Sequence, residues 1–107
     1  MIVEVDLTGT NASVTLVDPE DCTKFHVKAI GGDPQVLAAA LSRTAVGHLL
    51  DCGDAMIYVR AVADRAQGRV APGWNDNFAG MLAYAKGKGW LDETGEAIQA
   101  HVEWACG

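Results

Sequence analysis

A chain of 107 residues, half of them apolar and 21% charged, has room for one hydrophobic core and the balance of an ordinary folded domain. Its net charge of −6 argues against sequence-unspecific nucleic-acid binding, which requires a basic surface. No apolar run approaches the ~20 residues of a membrane-spanning helix, and MIVEVDL lacks a basic signal-peptide start. Cys22, Cys52 and Cys106 are odd in number and lack framework spacing, which suits free thiols in a reducing compartment. Together these features read as one cytoplasmic domain over residues 1–107, with no nucleic-acid or membrane partner.

Residues 2–7 alternate, with Val3, Val5 and Leu7 on one side and Glu4 and Asp6 on the other, as in a strand with one wet face. TGTNA supplies turn residues, and SVTLV continues the apolar set through Val14 and Leu16, so the two segments read as a β-hairpin. DPEDC is a second turn. KFHVKAI alternates again, with Phe25, Val27 and Ala29 inward and Lys24, His26 and Lys28 outward. The outward bases of this third strand then face the outward acids of the first, and one sheet face stays in solvent.

In GGDP, Asp33 fits an N-cap and Pro34 the first helical turn. The helix is predicted to run from Pro34 through Leu50, with Leu37, Ala40, Leu41, Thr44 and His48 on one stripe and Gly53 as the stop. DAMIYV reads as a fourth strand after this crossover helix, and RAVADRAQG as a short helix; one continuous helix over 54–67 is the alternative. Asn75 or Asp76 then opens a helix with Phe78, Met81, Leu82 and Ala85 on its apolar stripe. Gly87 or Gly89 ends it, and Trp90 folds back as the hydrophobic contact of the cap. A last helix is predicted after Asp92 or Thr94, with Ile98, His101, Val102 and Ala105 on one face. The fold class is therefore α+β: a small, mainly antiparallel sheet, three N-terminal strands plus the fourth, packed with a helical C-terminal half.

Little in the chain has catalytic spacing. KGKG closes a helix, where the dipole repels anions, and it lacks the G-x-x-x-x-G-K-[ST] order of a phosphate loop. At the turn Gly31-Gly32-Asp33, the Asp side chain already serves the helix amides. The pairs Cys22/His26, His48/Cys52 and His101/Cys106 include no C-x-x-C or H-x-x-x-H unit, so neither a metal nor a cofactor is expected. His48 and Cys52 would lie side by side on a helix, but Asp51 and Asp54 beside them oppose a thiolate. His101 and Glu103 point apart on a helix, which makes His101 a boundary residue rather than half of an acid–base pair.

Charge and aromatic content are both uneven. Acids without bases occupy residues 1–22, whereas Arg60, Arg65, Arg69, Lys86 and Lys88 make the middle basic. This pattern means either intramolecular charge matching or a small anion-attracting face. Trp74, Phe78, Tyr84, Trp90 and Trp104 all fall in the last third. Trp90 is assigned to the core; Trp74 and Trp104, at helix ends, are candidates for either core or surface. The expected function is a protein-binding module, or a homodimer, that uses a sheet edge or a surface around Trp74, Tyr84, Trp104 and His101. The competing expectation is a small enzyme or ligand carrier with an apolar pocket between sheet and terminal helices, its polar groups being His101, Tyr84 and Arg60 or Arg65.

Overall fold

The structure, a computed structural model, describes residues 1–9, 12–22, 24–51 and 53–105. In chain order the elements are β1 (Ile2–Asp6), β2 (Ser13–Val17), β3 (His26–Ile30), α1 (Pro34–Arg43), β4 (Gly47–Leu49), β5 (Asp54–Tyr58), α2 (Val59–Ala66), α3 (Trp74–Lys88) and β6 (Ala97–Ala105). The strands form one sheet in the order β2-β1-β3-β6-β5-β4. The α+β class holds, but the sheet is mixed rather than mainly antiparallel, and it has six strands rather than four.

Where the residues alternate, the structure follows them. β1 and β2 pair antiparallel, with Val3 opposite Leu16 and Glu4 opposite Thr15. Val3, Val5, Leu16, Val27 and Ala29 are buried. β3 departs from the expected succession of hairpins: it lies on the other side of β1 and runs parallel to it. The stretch 18–25 with Pro19 is too long for a tight hairpin, and it carries the chain past the end of β1. Glu4 is in register with Lys28 across this pair, as the outward charges required.

Asp33 caps α1, its carboxylate accepting the Val36 N–H at 2.9 Å. Leu37, Ala40 and Leu41 are its buried stripe. The helix stops at Arg43, well short of Leu50. Ala45 has a left-handed φ of 57°, the Val46 N–H returns to the Leu41 carbonyl, and the Ala45 N–H returns to Ser42. These bonds form a Schellman ending with alanine in the place glycine usually takes. His48 is consequently on β4, not on the helix stripe. Gly47 is what lets β4 approach β5, because a Cβ there would lie 2.0 Å from the Met56 carbonyl oxygen. Residues 54–67 resolve into strand plus helix, β5 passing straight into α2 at Val59.

α3 carries the expected stripe, with Phe78 and Ala85 buried and Met81 and Leu82 packed against the core. Gly89, φ 80°, ends it, and the Trp90 N–H bonds the Ala85 carbonyl as the motif requires. The segment read as a last helix is the long central strand β6, parallel to β3 and antiparallel to β5. Asp92 does accept backbone N–H groups, as a cap would, but it closes a turn: Oδ1 takes the Glu96 N–H at 2.9 Å and the Thr94 hydroxyl at 3.1 Å. The chain then doubles back, with Leu91 bridged to Ile98. Along β6, Ile98, Ala100 and Val102 are buried while Gln99, His101 and Glu103 are not. This period of two outweighs the helical stripe through His101 and Ala105.

The buried residues of all three helices join one cluster with Val3, Val5, Val27, Ala29, Ala55, Ile57, Ile98, Ala100 and Val102. The helices therefore cover one face of the sheet. Among the described residues no helix covers the other face. Among the described residues no helix is long and apolar enough to cross a membrane.

Candidate functional site

The register places the open-face residues in rows. Ile2, His26, His101 and Asp54 align across β1, β3, β6 and β5, and Glu4, Lys28 and Glu103 align in the next row. His26 Nε2 lies 3.3 Å from Glu103 Oε2, an ion pair when the imidazole is protonated. The strand residues of this face carry four carboxylates, Glu4, Asp6, Asp54 and Glu103, against the single ammonium of Lys28. Arg60 and Arg65 belong to α2 beside Asp64, and Lys86 and Lys88 to α3, which begins with Asp76 in its first turn.

At the centre of the open face is a depression of about 240 Å³ lined by Phe25, Asp54, Trp90, Gln99 and His101. Each wall follows from the topology. Gln99 and His101 are alternate residues of β6, so both rise from the same face. Asp54 is the register partner of His101 on β5. The Gln99 N–H donates to the Trp90 carbonyl at 2.6 Å, which brings the segment after α3 alongside β6. Phe25 comes from the chain just ahead of β3.

The four residues singled out from sequence do not form one surface. Trp74 is 4% exposed; it stacks on Phe78 with centroids 4.7 Å apart, and its indole N–H donates to the Pro19 carbonyl. It is part of the core. Trp104 is in register with Ala29, on the helix-covered side at the end of β6, and is 37% exposed. His101 opens to the other face. Tyr84, 61% exposed, projects from α3 and meets Trp90 edge-on at 6.0 Å, with the Lys88 ammonium 5.5 Å above its ring. Trp90 itself is 42% exposed, not core as expected. Its main chain satisfies the helix cap while its ring turns to the depression, so it links Tyr84 to His101. The sequence drew attention to the aromatics, but it weighed Asp54 only as a charge opposing a Cys52 thiolate and passed over Gln99. The alternation of Gln99, His101 and Glu103 with apolar residues was the available signal for Gln99; nothing local marked Asp54.

Elsewhere, Arg60 and Arg65 line a groove of about 750 Å³ with Asp64, Glu96 and the end of α1. Tyr84 borders a third depression with Glu20, Cys22 and Asp76. His101, Tyr84 and the arginine pair thus open onto three different depressions. Burial pushes the Cys22 thiol up from its ordinary value, with Asp21 and Glu20 reinforcing the shift and the terminal amino group opposing it. That disfavours a thiolate nucleophile there. β3 begins at His26, so the strand parity that would pair His26 with Cys22 does not extend to it, while Cys52 and Cys106 lie outside the described residues. Among the described residues no three His, Cys, Asp or Glu side chains converge as metal ligands. No protein-family model, curated protein or solved structure matches the chain.

Proposed function

We propose that this protein is a recognition module that binds a protein partner on the open face of its sheet, beside the Tyr84–Trp90 pair. One observation carries the reading: among the described residues helices cover only one sheet face, and two large aromatic rings stand exposed together at the border of the other. The exposed 42% of Trp90 adds nothing to folding. It can gain ~2 kcal/mol when a partner covers roughly 80 Å² of it, at about 25 cal/mol per Å². The edge-on contact and the Lys88 ammonium hold the rings in place beforehand, which lowers the entropy lost on binding. Such residues dominate interface energetics.

A peptide library displayed against the intact protein tests this reading. Selected ligands are expected to lose at least about tenfold in affinity on Trp90→Ala, with the variant still folded by far-ultraviolet circular dichroism. The reading fails if no saturable ligand emerges, or if ligands are indifferent to both Trp90→Ala and Tyr84→Ala.

Self-association has separate support. β2 is an edge strand of five residues with no proline or charge, features that natural edges use to prevent pairing. Pairing of two copies along β2 predicts a dimer at micromolar concentration, abolished by Thr15→Pro. A monomer at all accessible concentrations rejects it.

A further inference from the structure

We infer that the depression at the centre of the open face receives an arginine side chain from the protein partner. This inference rests on the recognition surface proposed above and names the group that anchors there.

The walls define the chemistry of the guest. Asp54 offers a carboxylate, and among the described residues no cation is paired with it. Gln99 offers an amide oxygen two strand positions from His101, while Phe25 and Trp90 add aromatic surface. A carboxylate and an amide oxygen beside aromatic rings fit a planar, delocalised cation. Its N–H edge meets the oxygens and its flat face lies on the indole. An ammonium satisfies the charge but not the planar contact. An anion meets Asp54 directly, with Glu103 two residues beyond His101 on the same face. At about 240 Å³ the space suits one side chain and is too small for a nucleotide.

The surroundings agree. Four carboxylates and one ammonium on the open strands give a field that attracts a basic segment. The molecule already shows the same preference in its own structure, since Lys88 places its ammonium over Tyr84, the ring next to Trp90. His101 is the base nearest in the row, as the register partner of Asp54, but among the described residues no ion pair joins the two, and the His26 imidazole is directed to Glu103. The Asp54 side of the depression is therefore left to a guest.

The test is a titration of isotope-labelled intact protein with acetyl-Gly-Arg-Gly-amide and with its citrulline counterpart, which keeps the shape and removes the charge. The arginine peptide is expected to produce saturable shifts at the Trp90 indole N–H and at the amides of Asp54, Gln99 and His101. The citrulline peptide is expected to bind at least about tenfold more weakly, as for the loss of a charge-assisted hydrogen bond. Asp54→Asn should weaken the arginine peptide by a similar factor, and Trp90→Leu should weaken it independently. Equal affinity for the two peptides, undiminished binding by Asp54→Asn, or shifts confined to α2 would overturn the proposal. The citrulline comparison uses the unaltered protein and does not depend on a variant folding. A library-selected ligand that needs Trp90 but no arginine defeats the arginine receptor alone and leaves the recognition surface standing. The absence of any ligand defeats both.

Discussion

Replacing Gly47 by alanine distinguishes this architecture from a helical reading of the same residues by the sign of the effect. Gly47 is opposite Ile57, and an added Cβ would lie 2.0 Å from the Met56 carbonyl oxygen and 3.0 Å from the Ile57 Cα, where ordinary contact begins at 3.4 Å. The obstacle is the backbone of β5, which is held by β6 on its other side, so no side chain can rotate away. β4 must shift by about 1.4 Å or detach, weakening its ladder and the 2.8 Å bond from the Tyr58 N–H to the Val46 carbonyl. Overpacking of this kind costs about 1–3 kcal/mol, and each weakened backbone hydrogen bond about 1 kcal/mol more. The expected loss is about 2–4 kcal/mol, a large share of a typical domain's stability, and it lowers Tm by roughly 10–20 °C. Urea unfolding followed by far-ultraviolet circular dichroism measures it. Were residue 47 inside a helix, alanine would stabilise by about 1 kcal/mol. A Gly47→Ala protein as stable as wild type, or more stable, refutes the placement of β4.

Ala45→Gly should raise stability by about 0.5–1 kcal/mol, since glycine occupies the left-handed end of α1 without steric cost; thermal melts that show a loss contradict the helix ending described. Trp74→Phe removes the donor to the Pro19 carbonyl and part of the stack on Phe78, for an expected cost of about 2–3 kcal/mol. It should also remove the most blue-shifted tryptophan emission, and an unchanged spectrum would place that indole elsewhere. For Asp92, burial pushes the carboxyl up, but hydrogen bonds from the Ala97, Glu96 and Gly95 backbone and the Thr94 hydroxyl outweigh it and leave it below the ordinary 3.8. With the folded value lowered, its stabilisation is complete above the unfolded pKa and is lost as pH falls through the folded one. Asp92→Asn should therefore flatten part of the stability decline below about pH 4, leaving the part due to Asp6, which the Thr8 hydroxyl and N–H hold low. A stability profile identical in wild type and Asp92→Asn across that range would count against the turn.

Much of the fold was legible because its rules are local. Alternation in β1, β2 and β3, the Asp33 cap, the α3 stripe and the Gly89 ending each depend on a few neighbouring residues, and each stands in the structure. What escaped depends on distant partners. AIQAHVEWA satisfies both a helical stripe and a period of two, and β3 and β5 on either side decide for the strand. Gly47 is compatible with a helix until the Met56 carbonyl is known to lie against it. The parallel course of β3 beside β1 is likewise invisible in either strand alone. The same applies to the candidate site: the aromatic cluster was visible along the chain, but only the β5–β6 register brings Asp54 to His101, and only the turn at Asp92 brings Trp90 to Gln99. Trp90 was assigned to the core because its cap role suggests burial, yet that role is met by its backbone.

The central claim is that recognition occurs on the uncovered sheet face. Amide chemical-shift mapping of the tightest library-selected ligand tests it most directly. The account predicts saturable changes at Asp54, Gln99, His101 and the Trp90 indole, with Arg60, Arg65 and Gln67 on the helical side unmoved. Changes concentrated on α2, with the open strands silent, would contradict it.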